Sequence, residues 1–319
     1  MKSTKLENYL NFNNLRSTMR GIFILFNDII GVLFSHFNVN YSNYSNYCIA
    51  IITNQDDFIF INLKDKKVLR ILSDNLNIHS YIKKRKIFSN SINSVSCRLV
   101  SNDKTQLIEP FITGKYFSTL SKNLKIKLLK KMFNNYENYI NKNKIYENSE
   151  ILQLKKNLFK LLKLIYLDKS IKVIFEKIDC NNIINNMEFI VSHKDLSSRN
   201  IMYYKNELIV IDFPSIDYYP IFYDPLSLIF LNDNEMFDEF VENKFENEII
   251  KILKFIDISK ESIKLQISKI ILIYIIFHAY RKVTQKLEDN INFNEFKKYI
   301  TLGLEKWYLP YLNKNNLKV

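Results

Sequence analysis

The sequence predicts an α+β chain of two lobes, a small antiparallel β-sheet followed by a mainly helical part. Three observations carry this. Short β-branched runs separated by polar turns fill the first third, and apolar residues recur at helical spacing through most of the rest. In addition, 319 residues with 47% hydrophobic content are more than one compact unit usually holds. The boundary is expected near residue 112, with a first lobe over 1–112 and a second over 113–319.

The elements follow in order. Residues 47–52, 57–63 and 67–72 read as three strands joined by the polar turns 54–56 and 64–66, and residues 78–88 as a helix. Residues 107–117 form a strand that breaks at Pro110 and Gly114. Residues 124–133 and 151–165 place apolar side chains at helical spacing with Lys on the far face, and the polar stretch 141–149 is expected as their linker. Residues 190–192 and 208–211 are apolar strands, the second closing a hairpin with 200–204 across the turn 205–207. Further helices are expected over about 234–255, 261–287 and 294–308, the last stopped by Pro310.

A formal charge of +13 invites a nucleic-acid reading, but the lysines are scattered. Asn, Lys, Ile, Tyr and Phe are abundant throughout, which reads as drift in composition rather than a selected basic stripe. No specific nucleic-acid partner is therefore expected. Cys48, Cys97 and Cys180 have neither metal-ligand nor disulfide-scaffold spacing and suit a reducing compartment, so the expected location is cytoplasmic. Residues 21–26 are cut by Asn27 and Asp28 and lack a cleavage-like site. Residues 270–277, bracketed by Lys269 and His278, fall short of the ~20 residues a membrane span needs and are expected as a buried helix. Nothing in the sequence indicates the oligomeric state.

The most informative stretch is 190–202 followed by 208–213. Asp195 and Asp212 stand where apolar runs stop, so both should emerge at strand ends, with Asn200 on the returning limb of the first loop. This donor set suits a metal-bound nucleotide. Phosphoryl transfer asks for little covalent help, so a site mainly aims a hydroxyl at the γ-phosphate and neutralises charge. Asp195 would orient that hydroxyl and accept its proton. The Asn200 amide oxygen can hold a metal ion without adding a repelling carboxylate, and Asp212 would chelate the ion bridging the phosphates.

His193, Asp195 and Asn200, followed by Ile211-Asp212-Phe213, resemble the catalytic segment of the aminoglycoside phosphotransferase and choline kinase superfamily. Its pattern is His-x-Asp-x4-Asn and then a hydrophobic-Asp-aromatic step. The resemblance implies a protein-kinase-like fold, ATP and Mg²⁺ as cofactors, and transfer to a hydroxyl of a small polar metabolite. Within the catalytic set it gives His193 the task of fixing the loop through hydrogen bonds. Asp224, twelve residues beyond Asp212, would open a helix and brace the loop. Phe213-Pro214, in place of Phe-Gly, is more similar to the small-molecule branch than to protein kinases.

In the first lobe the resemblance implies a nucleotide clamp. Ser45-Asn46-Tyr47 resembles the Ser-Asn-aromatic step of the superfamily's phosphate loop, although residues 40–46 contain no glycine; a polar surface loop is the other reading. Arg70 lies in a strand similar to the one in which choline kinases carry Arg for the usual Lys, which implies contact with the α- and β-phosphates, with Lys64 as the alternative. The helix after it lacks the Glu that normally pairs with that cation. Residues 107–117, with Glu109 and Phe111, resemble the hinge that binds adenine. The acceptor stays open among a choline-like amino alcohol, an amino sugar and an aminoglycoside. Several acids around Asp195 would point to a cationic one. A nucleotide-binding pseudokinase acting as a regulatory module is the alternative reading, and a protein kinase a third.

Overall fold

The computed structural model describes residues 22–24, 49–52, 58–72, 78–100, 103–166, 168–213, 216–231, 234–256, 262–284 and 292–317. Ser45, Asn46, Pro214 and the turn 54–56 lie outside them. The chain divides into two compact units, 1–82 with 95–113 and 83–94 with 114–319. Residues 83–94, expected in the first lobe, group with the second unit.

The first unit is built on an antiparallel sheet. Its strands are β1 (Ile22–Ile24), β2 (Ile49–Ile52), β3 (Phe58–Asn62), β4 (Lys67–Ile71), β5 (Arg98–Val100) and β6 (Asp103–Pro110). They run in the order β1-β2-β3-β4-β6-β5, and helix α1 (Ile78–Ser89) interrupts them in sequence. The turn from β3 to β4 is set by Asn62, whose Oδ1 accepts from Asp65 N at 2.8 Å, while Lys66 takes φ 51°. An Asx turn of this kind offers the backbone a hydrogen bond without a helix or strand partner. β6 stops at Pro110, after which Phe111 N donates to Lys66 O at 2.8 Å.

In the second unit β7 (Lys115–Tyr116) leads into α2 (Lys122–Asn143), α3 (Ser149–Ile165), α4 (Lys169–Ile178) and α5 (Cys180–Asn186). α2 runs further than the spacing predicts, because Tyr139 and Ile140 are fully buried and extend its core face. The linker therefore shrinks to 144–148, where Asn148 caps α3 by accepting from Ile151 N at 2.8 Å. Next come β8 (Phe189–Ser192), β9 (Ile201–Tyr204), β10 (Glu207–Val210) and β11 (Asp217–Pro220). β9 and β10 form the expected hairpin, and its two turn residues, Lys205 and Asn206, have φ 50° and 65°. Positive φ at both central positions is what a two-residue turn needs to match strand twist.

Gly114 fits where β7 meets β9. A Cβ there would lie 2.6 Å from the Tyr203 carbonyl oxygen, and backbone cannot step aside as a side chain can. Gly114→Ala is expected to cost about 1–3 kcal/mol through overpacking. Differential scanning calorimetry should show Tm lowered by roughly 2–4 °C per kcal/mol, and an unchanged Tm would refute the contact.

The remaining helices are α6 (Tyr223–Phe230), α7 (Asn234–Val241), α8 (Glu246–Leu253), α9 (Ile263–Thr284), α10 (Phe293–Gly303) and α11 (Leu309–Lys314). One long helix over 234–255 is corrected to two. Asn243 adopts φ 62°, Lys244 N bonds Glu239 O at 3.0 Å and Asn243 N bonds Phe240 O at 2.9 Å, a left-handed cap that ends α7. The expected stop at Pro310 is corrected too. A π turn over Leu304–Tyr308 carries the chain into α11, whose first turn holds Pro310. The π turn precedes the proline: Leu309 N donates to Leu304 O, five residues back, and Pro310 follows in the first turn of α11.

α9 is apolar on every side and buried from Ile270 to Arg281, as a helix without a polar face requires. Among the described residues it is the one helix long and apolar enough to cross a membrane, and it fills the core of this unit instead.

Candidate active site

The site grows from two strand ends in the second unit. β8 is buried along its whole length and ends in His193-Lys194-Asp195, where Lys194 turns the chain with φ 65°. β10 ends before Ile211-Asp212-Phe213, where Asp212 has φ 53°. A left-handed aspartate is a strained position, held only because its surroundings over-determine it.

Hydrogen bonds tie the two ends together. Asn200 Nδ2 donates to Asp195 O at 2.7 Å and lies 3.4 Å from Asp195 Oδ2. Ile211 N donates to Asn200 O at 2.9 Å, which sets Asp212 one residue from Asn200's own backbone bond. His193 is fully buried with both ring nitrogens engaged. Nδ1 accepts from Asp195 N at 3.3 Å, so the proton sits on Nε2, 3.2 Å from Ile211 O. Burial pushes its pKa down to about 4, against the pull of the Asp195 and Asp212 carboxylates. A neutral imidazole with both nitrogens bonded to the loop braces it.

Asp224, in the first turn of α6, holds the loop from behind. Fully buried, it accepts from His193 N at 2.7 Å, Lys194 N at 3.1 Å and Tyr136 Oη at 3.2 Å. Burial raises its pKa to about 6 despite these three bonds. Phe213 is pinned between the His193 ring, 4.7 Å between centroids, and the Phe88 ring at 5.6 Å, with the Arg85 guanidinium 4.3 Å from its centre. These contacts hold the residue next to Asp212.

Sequence reasoning missed two further features. Arg281, 2% exposed, places Nη2 2.6 Å from Asp195 Oδ1. Burial would raise the Asp195 pKa, but the charge and hydrogen bond of Arg281 outweigh it and hold the carboxyl below its usual range. Its spacing carried a signal: Arg281 stands seven residues after Tyr274 and four after Phe277, on a stripe that cannot face solvent. Asp217, on β11 beside β8, has Oδ1 2.8 Å from Lys84 Nζ and Oδ2 3.9 Å from Lys194 Nζ. Burial raises its pKa too, and the two lysines reverse the shift. Arg199 is exposed.

The residues expected to bind nucleotide lie in the first unit. Arg70 on β4 and Glu109 on β6 are both buried, with Nε and Oε1 4.0 Å apart. Arg70 pairs in register with Leu107, which puts Glu109 on the same face two residues along. The anion that α1 does not offer thus comes from the neighbouring strand. Phe111 is half-buried, and Lys64 is exposed in the turn after β3.

Among the described residues no three His, Cys, Asp or Glu side chains gather into a metal cage. Magnesium is usually held by one or two carboxylates together with phosphate oxygens and water. Asp212 and the Asn200 amide oxygen, left over once Nδ2 is spent on Asp195 O, fit that donor set.

No protein-family model and no curated protein matches the chain. Solved structures do. An ethanolamine kinase from Plasmodium vivax is 17% identical, covers 91% of each chain and has TM-score 0.50. A macrolide 2'-phosphotransferase from Brachybacterium faecium is 8% identical over 86% of this chain and 97% of its own, also at TM-score 0.50. The chain therefore has the fold of small-molecule phosphotransferases, a small antiparallel sheet with a mostly helical remainder.

Proposed function

We propose that the protein is an ATP- and Mg²⁺-dependent phosphotransferase acting on a hydroxyl of a small polar metabolite. The observation that carries this reading is the bonded chain from Asp195 through Asn200 and Ile211 to His193, with Asp212 the residue after Ile211. It supplies a base, an amide oxygen and a carboxylate from two loops fixed to each other, on a fold shared with enzymes of that chemistry.

In the proposed reaction Asp195 orients the acceptor hydroxyl and takes its proton. The hydroxyl oxygen bonds the γ-phosphorus as the bond to the β-phosphate bridging oxygen breaks, ADP leaves, and the proton passes to solvent. Asn200 and Asp212 would hold Mg²⁺, which neutralises charge on the phosphates. Arg70 is assigned to the phosphates, with Glu109 fixing its guanidinium, and Phe111 to the adenine. His193 and Asp224 position the loop.

The test is ADP release across amino alcohols, amino sugars and aminoglycosides with Mg²⁺ present and withheld. Turnover that needs Mg²⁺ and falls by roughly 10²-fold or more in Asp212→Ala is expected. Nucleotide binding with no turnover of any acceptor would favour a pseudokinase.

A further inference from the structure

The charge around Asp195 comes from an unexpected side. The 22 residues of α9 include no Asp or Glu, yet close to its C-terminal end they bring His278, Arg281 and Lys282 together. Arg281 acts most strongly on Asp195, through its charge and a hydrogen bond, and Lys282 adds to the same stabilisation of the anion. Lys306, in the π turn after α10, acts on His278 together with Arg281 and Lys282. The His278 ring stacks on Tyr274 with centroids 5.8 Å apart and meets Trp307 edge-on at 5.5 Å. His278 Nδ1 and Trp307 Nε1 are buried and hydrogen-bond to nothing among the described residues. Here, then, lies one carboxylate beside a guanidinium.

A cationic head group placed here would confront Arg281. An anion that takes the place of the Asp195 carboxylate would instead meet an opposite charge, and the guanidinium fork matches a carboxylate or phosphate in two parallel hydrogen bonds. We propose that the acceptor is a hydroxy compound bearing a carboxylate or phosphate a few bonds from its reacting hydroxyl, and that Arg281 binds this anion. As the anion takes up the guanidinium, Asp195 Oδ1 is released to the hydroxyl. The acceptor thus frees its own base, which an amine cannot do. This inference rests on the phosphotransferase reading and narrows its acceptor.

The test uses the full chain with MgATP and four acceptors: ethanolamine, glycerol, glycerate and glycerol 3-phosphate. At least one anion is expected to exceed ethanolamine in kcat/KM by ~10-fold or more, and the better of the two tells carboxylate from phosphate. Arg281→Gln changes the base for every acceptor, so the readout is the ratio: KM for that anion should rise about 10-fold more than KM for glycerol. Arg281→Lys, which keeps a counter-charge for Asp195 and so protects folding, should lose the anion preference in part. Thermal shift supplies a readout free of turnover: the anion should stabilise wild type and not Arg281→Gln. If no acceptor reacts but that stabilisation is found, the transferase reading falls and the anion site stands. If ethanolamine is the best substrate, or Arg281 variants handle anions as wild type does, the inference is overturned.

Discussion

Asp195→Asn is expected to lower kcat by roughly 10²–10⁴-fold, the range a positioned general base supplies. The substitution keeps size and leaves an amide oxygen for Arg281 Nη2, now 2.6 Å from Oδ1. It also leaves the backbone bonds to His193 Nδ1 and from Asn200 Nδ2 in place, since they use Asp195 N and O. Nucleotide affinity, measured by calorimetry, should therefore stay within about 3-fold while single-turnover chemistry collapses. A variant that retains a third or more of wild-type kcat would remove Asp195 from the reaction. One that loses nucleotide affinity to the same extent would show a structural role instead.

Asp224→Ala should be the most damaging single change for stability. It strips the acceptor from His193 N, Lys194 N and Tyr136 Oη at a fully buried place. Each orphaned group costs ~1–3 kcal/mol, and the sum is a large part of the roughly 5–15 kcal/mol that holds a protein folded. The charge on Asp224 has its own signature. With the folded pKa raised from 3.8 to about 6, the folded state binds more protons between those values, so this group's contribution falls as pH rises through them, by roughly 3 kcal/mol. His193 acts in reverse. Its folded pKa of about 4 lies below the ordinary 6.5, so its contribution grows as pH rises from 4 to 6.5, by a similar amount. Asp195 and Asp217 are held below 3.8 and titrate outside this window. His278, which burial holds well below 6.5, slopes the same way as His193, so wild-type stability should still climb with pH across this window, with Asp224 opposing the climb. Asp224→Asn should steepen that climb. Denaturant titrations at several pH values check this, and a variant with the wild-type slope would refute it.

Much of the candidate catalytic loop was legible in the sequence because its signals are local. Apolar runs that stop at an acid mark strand ends, and Lys205-Asn206 tolerate the positive φ that a two-residue hairpin turn demands. Hairpin pairing then fixes Asp212 relative to Asn200 without help from distant residues. The long apolar helix was legible for the same reason. Helix ends were less so. Asn243 and Pro310 are each compatible with continuing or stopping, and the backbone takes opposite courses: Asn243 turns left-handed and ends α7, while a π turn carries the chain past Pro310.

What the sequence by itself determined is the order and type of the elements around the loop and the donor atoms at its strand ends, since periodicity and turn chemistry act over a few residues. The tertiary structure alone decided which charges meet. Arg281 is 86 residues from Asp195, Glu109 sits a strand away from Arg70, and Asp217 reaches back to Lys84. Chain spacing does not encode such partnerships. A buried charge pairs with whatever opposite charge the fold brings within a few ångströms, because desolvation makes an unpaired one too costly to keep.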